Sequence, residues 1–163
     1  MAAYTQAIHT SGVPLETVWS FIDCTIIHIC HLTWFQCQAF KGHKKFHALK
    51  YQALTLLNGL IGHLFGPQEG RQNDNVLAAM SRVFKKALEH AIRPETNENT
   101  PIAERHFQIF GDHAYGVSSV ILSPFARARD WTAEEQEWNN VMSGARISIE
   151  HAFGLVLKEW PFI

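Results

Sequence analysis

Four acids interrupt apolar segments of this chain: Asp23 in Phe-Ile-Asp-Cys-Thr, Asp74 in Gly-Arg-Gln-Asn-Asp, Asp112 in Phe-Gly-Asp-His-Ala-Tyr and Glu150 in Arg-Ile-Ser-Ile-Glu-His-Ala-Phe-Gly. A carboxylate beside a hydrophobic strand or helix face loses hydration, which is unfavourable unless a partner or a metal ion compensates. Acids drawn from distant parts of a chain to one point hold divalent cations through oxygen ligands. Without the cation such a cluster repels itself, so an empty site is destabilising. Convergence of these carboxylates on divalent metal is therefore the chemistry to look for.

Other chemistries find weaker support. His43 and His47 have an H-x3-H spacing with Cys30 and Cys37 upstream, but six residues lie between those cysteines. Zinc fingers want cysteine pairs separated by about two to four. His28 and His31 fall in a strand-like segment whose alternate residues face apart. The sequence contains no Gly-rich phosphate loop, and no Ser or Cys sits in a nucleophile elbow. Cys24 is a poor catalytic thiol, because the adjoining Asp23 disfavours a thiolate.

The elements that must position the acids follow from the hydrophobic pattern. Ala2 to Gly12 reads as a short helix closed by Gly-Val-Pro. Val18 to Cys30, rich in β-branched and aromatic residues, predicts a strand carrying Asp23. Phe40 to Lys45 reads as a basic turn, and Phe46 to Leu57 as a second strand. Asn58-Gly59 is a hairpin signal that pairs it with Leu60 to Phe65, ended by Gly66-Pro67. Asp74 then lies on a polar loop. Apolar residues at helical spacing predict one amphipathic helix over 75–90, capped by Asp74 or Asn75. Arg93 to Pro101 is an exposed loop, Phe107 to Phe110 a short buried strand stopped by Gly111-Asp112, and Ser118 to Phe125 is ambiguous. Thr132-Ala-Glu-Glu135 fits a capping box that opens a long helix to about Leu157, with Glu150 in its second half.

Three leading strands followed by alternating elements predict an α/β fold, a mixed sheet covered by helices. Asp112 directly follows the fourth strand, where ligand sites form beside the carboxyl ends of sheet strands. At 163 residues the length fits one domain with a real core, and 47% hydrophobic with 18% charged residues is a globular balance. His, Gln or Lys breaks every apolar run before it reaches a membrane span, and residues 1–10 lack the pattern of a signal peptide. Three cysteines, an odd number crowded into one region, fit a reduced, intracellular protein. The net charge of −1 advertises no nucleic-acid binder globally, so phosphate contacts must use local clusters. Trp19, Trp34, Trp131, Trp138 and Trp160 read as packing residues rather than base-stacking platforms.

Seven segments together resemble one known family. They are Phe21-Ile-Asp-Cys-Thr, Gly42-His-Lys-Lys-Phe-His-Ala-Leu-Lys50, Asn58-Gly-Leu-Ile, Gly66-Pro-Gln-Glu-Gly-Arg-Gln-Asn-Asp74, Gly111-Asp-His-Ala-Tyr115, Leu122-Ser-Pro-Phe125 and Arg146-Ile-Ser-Ile-Glu-His-Ala-Phe-Gly154. In that order, over residues 14–160, they resemble the DDE nuclease domain of PIF/Harbinger-type transposases. The resemblance implies a ribonuclease-H-like fold, phosphodiester chemistry on DNA assisted by Mg²⁺ or Mn²⁺, and a nuclear location. It implies a catalytic triad of Asp23, Asp112 and Glu150, with Asp74 as a fourth acid and a rival for the second aspartate. All four are metal-ligand candidates.

Further expectations follow from the resemblance. Lys44 and Lys45 lie in a family motif and become candidates for phosphate contact. Arg146, one turn before Glu150, either pairs with it or touches a phosphate. Arg82, Lys85 and Lys86 read as a solvated helix face, and Arg127 and Arg129 are further basic residues. A separate DNA-binding helper protein is a possible partner. Cys24, Ile26 and Gly116 stand where the family generally has Gly, His and Pro. The chain also reads as truncated at both ends relative to full-length relatives. The expected function is therefore a transposase-derived, metal-dependent DNA endonuclease. The alternative is a catalytically silent domesticated fragment that binds DNA or protein.

Overall fold

The computed structural model describes residues 1–30, 40–41, 46–126 and 131–159. Helix α1 (Ala2–Thr10) leads into strand β1 (Val18–His28). Strands β2 (Phe40–Lys41), β3 (Phe46–Thr55) and β4 (Ile61–Glu69) follow, then helices α2 (Asp74–Ser81) and α3 (Val83–His90). Strands β5 (Gln108–Phe110) and β6 (Ile121–Leu122) precede the long helix α4 (Ala133–Glu159). Among the described residues, the six strands form one sheet in the order β2-β3-β1-β5-β6, with β4 also paired to β3. β1 is antiparallel to β3 and parallel to β5, and β5 is parallel to β6. This is the expected mixed sheet flanked by helices, consistent with a ribonuclease-H-like nuclease fold.

Alternation along β1 divides the core between two faces. Phe21 is fully buried against Met142, Ile149 and Phe153 of α4, together with Ile8 of α1 and Phe110 of β5. Its neighbour Ile22 faces the other way, against Ala78 of α2, Val83 and Ala87 of α3, and Ile109. Successive strand side chains point to opposite faces, so each position on β1 is assigned to one helical layer. Asp23 thereby inherits the α4 side and Cys24 the α2–α3 side.

Four elements differ from the sequence pattern. The amphipathic stretch after Asp74 is two helices, broken at Arg82, which adopts a left-handed conformation (φ 56°). Ser81 accounts for the break: its buried hydroxyl lies 3.0 Å from Gln52 Oε1 on β3 and accepts from the Val83 amide. A side chain tied to the sheet and to the next turn's amide competes with a continuous helix. The second hairpin strand does not end at Gly66-Pro67, where the ladder shifts register opposite Tyr51, but runs through it to Glu69. Gly66 (φ +142°) permits this, since a Cβ there would lie 2.9 Å from the Lys50 carbonyl oxygen. Phe40 and Lys41, read as the start of a basic turn, pair with β3 as β2, while the ambiguous segment near residue 120 contributes only the short β6.

The capping box at the start of α4 is present. The Glu135 amide donates to Thr132 Oγ1 at 3.2 Å, and the Thr132 amide to Glu135 Oε2 at 3.0 Å. Thr132→Ala is expected to lower stability by about 1 kcal/mol in urea unfolding. Arg82, Lys85 and Lys86 are exposed, as a solvated helix face requires. Trp19, Trp131 and Trp138 are half-buried, Trp138 edge-on to Phe110 and Phe125. Trp34, Trp160, Cys37, His31, His43, Arg127 and Arg129 lie outside the described residues, as do the candidate DNA contacts Lys44 and Lys45. Among the described residues no helix is long and apolar enough to cross a membrane.

Candidate active site

Asp23 sits on the central strand, where a carboxylate has little access to water. Its side chain is 17% exposed, and both oxygens are engaged. Oδ1 accepts from the Cys24 amide at 2.8 Å, and Oδ2 accepts from Arg146 Nη1 at 2.7 Å. Arg146 projects from α4, and its other terminal nitrogen, Nη2, lies 3.7 Å from Glu150 Oε1 one turn further on. One guanidinium thus joins the acid of β1 to the acid of α4. Asp23 and Glu150 therefore face the same side of the sheet. Glu150 itself is largely open to solvent (57%), while Ile149, Ala152 and Phe153 turn inward.

Asp112 approaches from the neighbouring strand. β5 runs parallel to β1 with Phe21 opposite Phe110, and Asp112 follows in the turn just past the end of that pairing, near enough for its charge to act on Asp23. The turn that carries it is tightly fixed. Asp112 Oδ1 accepts from the Ala114 amide at 3.0 Å, capping the 3₁₀ turn His113–Tyr115. Gly111 lets the Tyr115 ring fold back, because a Cβ there would lie 2.5 Å from that ring and 2.9 Å from Ile22. Burial raises the Asp23 pKa; the Arg146 guanidinium and the Cys24 amide oppose that, while the charges of Asp112 and Asp74 add to it.

Asp74 occupies the opposite side. Lys50, Gln52 and Leu54 share the β3 face that packs on α2 and α3. There the buried Lys50 ammonium pairs with Asp74 and donates to the Gln72 carbonyl at 2.9 Å. The sheet separates this pair from Arg146 and Glu150. Asp74 is the first residue of α2 and not its cap; Asn73 holds the cap position without a side-chain bond. A carboxylate in the first turn also complements the helix dipole. The role of Lys50 was hidden in the sequence among the basic residues of its region. The available signal was its place in the alternation Lys50, Gln52, Leu54.

Cys24 does not leave the gap that a glycine would. Its thiol lies 3.3 Å from the Tyr115 hydroxyl, which accepts from Gln52 Nε2 at 3.3 Å, and Gln52 in turn meets Ser81. This buried polar chain ties β1, β3 and α2 to the turn that holds Asp112. Burial pushes the Cys24 thiol up to about 12, and burial likewise raises the Tyr115 phenol. Thiolate at Cys24 is thus strongly disfavoured relative to an ordinary thiol. Iodoacetamide at pH 8 is expected to alkylate the exposed Cys30 at least about tenfold faster than Cys24, as peptide mapping would show.

The family model described as DDE superfamily endonuclease matches residues 22–163. The chain belongs to this family. No curated protein and no solved structure matches it. Membership in the DDE superfamily endonucleases implies DNA as the substrate, and these enzymes generally use divalent metals. The carboxylates of this DDE chain fit that requirement in kind, being hard oxygen donors suited to Mg²⁺ or Mn²⁺. Burial of the Asp23 carboxylate, to which the charges of Asp112 and Asp74 add, is the imbalance such an ion would relieve. Their arrangement is not a finished cage: among the described residues no three His, Cys, Asp or Glu side chains are grouped to hold one ion. A guanidinium occupies Asp23 Oδ2 instead.

Proposed function

We propose that the chain is a divalent-metal-dependent DNA endonuclease domain of the PIF/Harbinger transposase type, in which Asp23, Asp112 and Glu150 supply the metal-binding carboxylates. The observation that carries this reading is the Asp23–Arg146–Glu150 bridge. It joins the central strand to the late helix on one side of the sheet, with Asp112 in the turn that follows the adjoining strand. The seven motifs in family order support the subtype. Asp74 has a separate structural role, in which its pairing with Lys50 across the sheet fixes the start of α2.

When bound, divalent ions supply an activated water and offset charge at the leaving 3′ oxygen. The protein's own share is placement. β1 presents Asp23 at the sheet's centre, the Gly111–Tyr115 turn fixes Asp112, and α4 brings Glu150 over from the facing layer. Lys44 and Lys45 remain proposed phosphate contacts, and a separate helper is the proposed source of sequence selection.

Supercoiled plasmid incubated with the protein and Mn²⁺ tests the reading. Wild type is expected to nick it, whereas Asp23→Asn, Asp112→Asn and Glu150→Gln lose at least about a hundredfold in rate. Equal rates from all three variants and wild type would reject the triad. A second reading, a catalytically silent domain that binds DNA or protein, is favoured by the guanidinium seated on Asp23. It expects no Mn²⁺-dependent nicking from wild type.

A further inference from the structure

The Arg146 guanidinium has two jobs that conflict once a metal arrives. It is the cation that opposes burial of the Asp23 carboxylate, at 2.7 Å from Oδ2. It also lies 3.7 Å from Glu150, within the same helix. Its side chain is only 21% exposed, so the contact is built into the packing of α4 on β1 and is not a surface pair. An arginine cannot neutralise itself by losing a proton. A divalent ion taking Asp23 Oδ2 would therefore stand within a few ångström of a permanent positive charge in a poorly screened place.

We propose that Arg146 is a positioning residue that acts as a built-in counter-cation. It holds Asp23 and Glu150 together before metal arrives and competes with the divalent ion for Asp23. A divalent ion held by Asp23 would displace the guanidinium from that carboxylate. This rests on the endonuclease reading and adds to it a role for a side chain that touches both Asp23 and Glu150. Arg146 reaches the site through Asp23, so its effect is on metal affinity and not on DNA recognition by sequence.

Calorimetric titration of the full 163-residue chain with MnCl₂ tests this. Arg146→Gln is expected to bind Mn²⁺ at least about tenfold more tightly than wild type, whereas Arg146→Lys, which keeps the charge, stays near wild type. A residue that merely propped up the fold would give the opposite sign, with weaker binding on removal. Wild-type binding with equal or weaker binding by Arg146→Gln would overturn the counter-cation and leave the endonuclease reading standing. No Mn²⁺ binding by any of the three would overturn the metal reading and this inference with it. Should Arg146→Gln fail to fold, the wild-type protein labelled with ¹⁵N gives the answer directly. Mg²⁺ is expected to shift the Arg146 Nε–H resonance as the guanidinium leaves Asp23, and a resonance unmoved at saturating Mg²⁺ would overturn the proposal.

Discussion

Lys50→Met is expected to destabilise the protein by about 3 kcal/mol, read as a fall in the urea midpoint. The lysine side chain is 8% exposed and its partner Asp74 19%, so the pair is desolvated on both sides. Removing the ammonium while keeping an apolar stem of similar length leaves the Asp74 carboxylate in a site with little water, beside the Cys24 thiol that its charge already disfavours ionising. An unpaired buried charge costs far more than the pair itself contributes. Asp74→Asn in the same chain should therefore restore most of the loss, and a double-mutant cycle should give a large coupling between the two positions. The Gln72 carbonyl also loses its donor, so the start of α2 should loosen, visible as faster amide exchange there. A loss below about 1 kcal/mol, or additive single variants, would show that the pair is solvated.

Much of this architecture was readable from local pattern. The β-branched and aromatic run after Val18 made β1, and Asn58-Gly59 turned the hairpin. Thr132 and Glu135 closed the capping box that opens α4. In each case the deciding interaction spans a few residues, so the sequence carries it whole. Where the pattern misled, a tertiary contact had taken over. The helical spacing after Asp74 runs unbroken through Ser81, yet the chain breaks there because Ser81 binds Gln52 on a distant strand. Gly66-Pro67 looks like a terminator, yet on an edge strand the missing proline amide costs no ladder bond and pairing resumes beyond it.

The site divides in the same way. Alternation along β1 decides which layer Asp23 faces, and the four-residue spacing of Arg146 and Glu150 puts them on one helix face. That the Arg146 guanidinium reaches Asp23, 123 positions away, depends on how α4 lies across the sheet. No spacing rule contains that. Asp74 illustrates the reverse: a motif neighbour of the other acids in sequence, it belongs to the other face because its partner Lys50 alternates inward there.

Asp23→Asn separates the two halves of the account, because its consequences with and without metal have opposite signs. Without metal, burial outweighs the Arg146 guanidinium and holds the Asp23 carboxyl above its ordinary value. A group raised in this way stabilises the fold while it is protonated. That contribution fades as pH climbs from the ordinary carboxylate value through the raised one. Metal-free wild type should therefore lose stability across that interval, whereas the amide variant, with nothing to titrate at position 23, should lose less. At neutral pH the variant should melt no lower than wild type, even though Arg146 keeps only Glu150 as an acidic partner. With Mn²⁺ present the order reverses. Wild type gains stability by mass action on a site formed only in the folded state, and the variant gains little. Its nicking rate falls at least about a hundredfold, since loss of an outer-shell partner alone typically costs about 10–100-fold and Asp23 is proposed to touch the ion. A variant that nicks within a few-fold of wild type would remove Asp23 from the chemistry. A metal-free variant that melts far below wild type would mean that the Arg146 pair outweighs the cost of burying the carboxylate, which reverses the electrostatic balance on which the site is argued to depend.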